Sequence, residues 1–62
     1  MEPDDVRAVR HEMGLTQVAL AKLLNVSPRT VQKWEQAERR PRGTAITAIR
    51  LLLERFRNEG QT

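Results

Sequence analysis

Arg29, Thr30, Gln32, Lys33 and Gln36 fall within eight residues of one another, while the apolar Val31 and Trp34 between them are three apart. Wound as a helix, this stretch turns Val31 and Trp34 to one side and leaves the long polar side chains on the others. Guanidinium and ammonium groups match guanine O6 and N7, and a carboxamide matches the N6/N7 edge of adenine. Arg29 and Lys33 are therefore the candidates for guanine, and Gln32 the candidate for adenine. A short helix with one packed face and one face of hydrogen-bonding side chains suits the major groove of DNA. Catalytic chemistry has little to work with here. The chain has one His (His11), no Cys, no Tyr and no glycine-rich phosphate loop. No pairing of nucleophile and base follows from these spacings, so an enzyme is not expected. His11 lacks a second His or Cys to complete a metal site and is expected at the surface; no cofactor is expected either.

The flanking residues read as the supports of that helix. Ser27 is a helix cap and Pro28 stands at the first helical position, where a missing N–H costs nothing. A preceding helix of about Gln17–Leu24 is capped by Thr16, carries Leu20, Leu23 and Leu24 at helical spacing, and ends at Asn25, which tolerates the left-handed conformation. The third helix is expected over about Pro28–Ala37, after a turn of Asn25, Val26 and Ser27. Upstream, Pro3 opens a first helix with Asp4 and Asp5 in its first turn, Val6, Val9 and Met13 form its stripe, and Gly14 ends it. Met13 is core filler at that spacing, and Arg10 lies beside the stripe rather than opposite it. Trp34 is a core anchor. With Trp34 and Phe56 as the only aromatics, stacking of single-stranded bases is poorly supported. The basic loop Glu38-Arg39-Arg40-Pro41-Arg42-Gly43 follows, and Thr44 is the expected cap of a fourth helix. There Ala45, Ala48, Ile49, Leu52, Leu53 and Phe56 share one broad stripe, with Ile46 at its edge and Leu51 well outside it. Either this helix is fully embedded or part of it meets a second copy. Asn58 to Thr62 is expected to fray.

Sixty-two residues without cysteine make one domain spanning residues 1–62, near the lower limit of unaided folding and without disulfides or thiolate metal sites. No stretch approaches the roughly 18–20 apolar residues of a membrane span, and the N-terminus is acidic, unlike a signal peptide. A soluble, cytoplasmic protein without membrane contact is expected. Residues 1–26 carry three basic against four acidic groups, and residues 27–62 carry eight against four, for a net charge of +3. A basic second half suggests a polyanion partner, and phosphate contacts are its usual use; the alternative is a merely solvated basic surface. There are no repeats or linkers, and no small-molecule effector is expected.

Leu15-Thr16-Gln17, Leu20-Ala21, Leu24-Asn25-Val26-Ser27, Thr30-Val31 and Trp34-Glu35 resemble, in register, the Cro/Xre-type helix-turn-helix. This is the domain of many phage repressors, restriction-modification controllers and antitoxins, and small anti-CRISPR-associated repressors are similar. The alternative is a generic pair of amphipathic helices in a bundle. The resemblance implies an all-α, compact four- to five-helix bundle of the lambda repressor-like kind. It also implies a pair between Arg10 and Glu35, and a Gln17 that braces the start of helix 3. Thr16 and Gln17 can donate to a phosphate together with free backbone N–H groups, and Ser27 and Thr30 are further phosphate candidates. The family often has a polar side chain at the position of Pro28, which here offers only apolar contact, for instance to a thymine methyl. Arg40, Pro41 and Arg42 resemble a basic segment that, in some members, reaches the backbone or the minor groove; simple solvation is the alternative.

The expectation is thus a sequence-specific repressor binding double-stranded DNA as a homodimer on a palindromic operator, with Leu51, Arg55 and Phe56 at the dimer interface. Autoregulation of a phage or mobile-element operon is the expected role, at the nucleoid of a prokaryote. Two alternatives stand beside it: the antitoxin of a toxin–antitoxin pair, and a module that docks on another protein through helix 4. An antitoxin normally carries an extra segment covering its toxin, and the short tail here favours the stand-alone repressor.

Overall fold

The computed structural model describes residues 2–60, and these form four helices: α1 (Pro3–Glu12), α2 (Gln17–Leu24), α3 (Pro28–Glu35) and α4 (Gly43–Glu59). There is no strand among the described residues, and the fold is all-α. No helix among them is long and apolar enough to cross a membrane.

Local chemistry sets most of the boundaries. The Glu2 N–H donates to the Asp5 carboxylate (3.0 Å), which sits at the positive end of α1. Gly14 takes a φ of +67°, and the N–H groups of Gly14 and Leu15 close the helix onto the His11 and Arg10 carbonyls, each at 3.0 Å. Thr16 Oγ1 accepts the Ala19 N–H at 3.0 Å. Asn25 turns the chain at φ +58°, and the Val26 N–H returns to the Ala21 carbonyl at 3.0 Å. Ser27 Oγ then accepts the Thr30 N–H at 3.3 Å, and Pro28 opens α3.

Three sequence expectations about the ends are corrected. α3 stops at Glu35 rather than Ala37, because Ala37 adopts φ +64° and the Glu38 N–H folds back to the Lys33 carbonyl at 3.0 Å. α4 begins at Gly43, one residue before the expected cap Thr44. Pro41 is buried and fixes where the chain turns, while Arg42 takes the cap position and its carbonyl accepts the Ile46 N–H at 2.9 Å. Asn58 and Glu59 belong to α4 instead of a frayed tail, and Gln61 and Thr62 lie outside the described residues.

The core is Val6 of α1, Leu20 and Ala21 of α2, Val31 and Trp34 of α3, and Ile49 of α4, with Val9, Met13, Leu15, Leu24, Val26, Ala45 and Leu52 packed against it. Small Ala21 lets α2 approach α3, and Val26 and Val31 line the turn between them. Helix 4 is not fully embedded. Of its broad stripe Ile49 alone is buried and Phe56 is 41% exposed, while Leu51, outside the stripe, is 60% exposed. Leu23, expected with Leu20 and Leu24 on the packed face, is 56% exposed. Its side chain lines an open groove between α2 and α4 instead of the core.

Candidate nucleic-acid interface

Capping and packing together decide what α3 presents. Val31 and Trp34 hold one face in the core, so Pro28, Arg29 and Gln32 stand exposed and Thr30 and Lys33 are half-buried. The Ser27 and Thr30 hydroxyls lie 3.2 Å apart. One of their two protons serves that contact, and the other remains free to be donated to an anion. At the start of α2, Thr16 uses its oxygen as the cap acceptor, which leaves its hydroxyl proton available, and the first backbone N–H groups of a helix have no partner within it. The N-terminal ends of both helices thus offer neutral donors, and the exposed face of α3 offers longer side chains.

Glu35 fixes this pair of helices to α1. The residue is only 5% exposed, and its carboxylate takes Arg10 Nε at 2.7 Å and Arg10 Nη2 at 2.9 Å in a bidentate contact. Arg10 also donates Nη1 to the Leu15 carbonyl at 3.1 Å. One guanidinium therefore ties the end of α3 to the connection between α1 and α2. Its hydrogen bonds to Glu35 hold that carboxyl below the usual range against the opposing effect of burial, with smaller help from Gln17 and Arg7. Arg10 is correspondingly shifted upward by the same bonds. No buried side-chain nitrogen or oxygen among the described residues lacks a partner.

Two features of this node differ from the sequence reading. Gln17 reaches Glu35 at the end of α3, Nε2 to Oε1 3.4 Å, rather than bracing its start; an ionised carboxylate is a stronger acceptor than the neutral groups at the start of α3. Arg7, which the sequence reading assigns no role, is the other. Its Nη2 donates to the Glu35 carbonyl at 3.1 Å, and its Nε lies 3.5 Å from the carboxylate. A cation there meets the negative end of α3. Its spacing of three before Arg10, which puts both on one side of α1, was the available signal.

The loop between α3 and α4 is anchored by buried Pro41, while Arg39, Arg40 and Arg42 stand in solvent. Arg40 Nη2 is 4.0 Å from Glu2 Oε1, with both side chains mostly exposed; such a contact is weak and readily screened. Arg57 and Glu12 form a second unanticipated link, Nε to Oε2 2.7 Å and Nη2 to Oε1 3.0 Å, tying α4 to α1. This contact holds Glu12 below the usual carboxylate range. Leu51 and Arg55 line a groove between α2 and α4, whereas Phe56 does not. No group of three or more His, Cys, Asp or Glu side chains among the described residues is placed to hold a metal ion.

The sequence is similar to known proteins. A family profile described as helix-turn-helix matches residues 6–54, from the first core residue of α1 well into α4. The chain is also similar to antitoxin HigA-2 of Vibrio cholerae serotype O1, with 33% identity over 52 residues, covering 84% of this chain and 50% of that protein. The chain therefore spans about half the length of the curated relative it matches.

Proposed function

The chain belongs to the helix-turn-helix family of DNA-binding regulators, which are not enzymes, and from that premise we propose a sequence-specific repressor that acts as a homodimer on an inverted-repeat operator. Residues 1–62 act as a single DNA-binding domain in this reading, in the cytoplasm of a prokaryote, where it autoregulates a phage or mobile-element operon. The observation that carries the reading is the amphipathic α3. Its inner face is locked by Val31, Trp34 and the Glu35 node, and its outer face offers Arg29, Gln32 and Lys33.

Base edges fall to Arg29 and Lys33 (guanine), Gln32 (adenine) and the ring of Pro28 (a thymine methyl). Thr16, Gln17, Ser27 and Thr30 donate to phosphates on either side, and Arg40 and Arg42 add charge along the backbone. Gln17 has one amide N–H on Glu35 and a second left for DNA. Arg10 and Glu35 hold the reading helix in place. A single α3 touches only a few base pairs, and two-fold pairing places two such helices in successive major grooves about 34–36 Å apart.

A second reading has its own support. The similarity to an antitoxin favours a chain that regulates its operon as part of a toxin–antitoxin pair. Both readings share the operator and differ in the neighbouring gene. Selection of bound sites from a random duplex pool tests the shared part. The expected outcome is a two-fold symmetric motif with half-sites one helical turn apart. A pool that returns no enriched motif contradicts sequence-specific binding, and an asymmetric motif contradicts the homodimer.

A further inference from the structure

The C-terminal turn of α2 and the outer side of α4 enclose a groove of about 520 Å³ with an apolar lining of Leu23, Leu24, Ala48, Leu51 and Leu52, and with Glu54, Arg55, Asn58 and Glu59 as its polar lining. Leu23 and Leu51 are each more than half exposed. Single exposed leucines are ordinary, but two lining one apolar groove form a continuous patch, and such patches mark contact surfaces. We propose that this groove is the dimer interface and that its occupant is the same groove of a second copy. The inference rests on the homodimer reading above and adds the surface, including a contribution from α2 through Leu23.

Charge selects the occupant. Glu54 and Arg55 are neighbours of opposite sign beside the leucines, and neither makes an ion pair within the chain among the described residues, whereas Glu59, the other acid lining the groove, is already engaged. Arg57, which lines a different part of α4, is satisfied by Glu12. A two-fold contact requires a patch that complements itself. Glu54 of each copy then meets Arg55 of the other around an apolar centre made by both pairs of leucines. A partner of uniform charge would leave one of the two opposed by a like charge. The groove also draws no lining residue from α3, so closing it against a second copy leaves both reading helices open to DNA. Phe56 stays outside it, although it shares α4 with Leu51.

Sedimentation equilibrium on the full chain and four variants tests the proposal. Leu23→Glu and Leu51→Glu should each shift the protein to monomer with unchanged helical circular dichroism, because both side chains are exposed in the single subunit. Glu54→Arg and Arg55→Glu should each weaken self-association by about tenfold or more, since each sets two like charges against each other. Mixing those two charge variants should restore a dimer, because each cation then faces an anion. A wild-type dimer that none of these variants weakens overturns the groove assignment and leaves the homodimer reading standing. Weakened charge variants that do not recover on mixing overturn the Glu54–Arg55 pairing. A wild-type monomer, both free and on its selected operator, overturns the homodimer reading and the groove with it, and leaves the groove for a different protein.

Discussion

Arg10→Met removes the guanidinium from Glu35 while keeping most of the side chain's apolar length, and it leaves a carboxylate that is 5% exposed without its main partner. Breaking a buried ion pair from one side typically costs roughly 3–5 kcal/mol. Here Gln17 at 3.4 Å and Arg7 at 3.5 Å stay on the carboxylate, and the expected loss is about 2–4 kcal/mol. A domain of this length has a total stability of roughly 3–9 kcal/mol, so the variant should sit close to unfolding at neutral pH. Urea titration followed by circular dichroism and by the fluorescence of buried Trp34 measures the loss.

The pH dependence separates this cause from a simple packing defect. In the wild type the folded carboxyl of Glu35 lies below its unfolded value. Its contribution is complete above the unfolded value of about 4.3 and is lost as pH falls through the lower folded value. In Arg10→Met burial pushes the same carboxyl upward, so the penalty is absent at low pH and grows as pH rises through the raised folded value. The rise in the variant narrows the stability gap between the two proteins as the solution is taken from neutrality to about pH 4, and the loss in the wild type narrows it further below that. A loss below about 0.5 kcal/mol, or a gap that does not change with pH, refutes the assignment of Glu35 as the electrostatic anchor of α3.

Ala37→Gly should raise stability by about 0.5–1 kcal/mol in the same urea titration, because a Cβ is strained at φ +64°. Changing Arg40 and Arg42 together to Ala should weaken binding to all duplexes about equally and reduce the slope of log affinity against log salt by about 1 for each lost phosphate contact. Fluorescence anisotropy at several salt concentrations measures that slope, and an unchanged slope returns both arginines to the solvent.

The elements that could be read from the sequence are those made by neighbours. Thr16, Asn25, Ser27 and Pro28 act on their own helix ends within a few residues, so α2, the turn and the start of α3 were legible. Arg10 and Glu35 are 25 residues apart, and their pair was legible only through the family resemblance. Contacts without that guide were missed. Arg57 lies 45 residues from Glu12, and Arg7 reaches a backbone carbonyl that no periodicity announces. Leu23 shows the limit of a helical wheel: the wheel groups it with Leu20 and Leu24, but whether that edge is covered depends on where α4 crosses. The onset of α4 was misplaced for a similar reason, since Pro41 is buried by tertiary packing and overrides the capping preference of Thr44.

The identity of the reading helix is tested most directly by Arg29→Ala and Lys33→Ala on the operator selected from the random pool, with every base pair of one half-site varied in turn. α3 in the major groove predicts a loss of roughly 1–3 kcal/mol for each variant, with relaxed preference at particular base pairs and preference kept elsewhere. Both variants should keep the wild-type circular dichroism, because the two side chains lie outside the buried core. Full discrimination at every position in both variants contradicts the assignment of α3 as the reading helix.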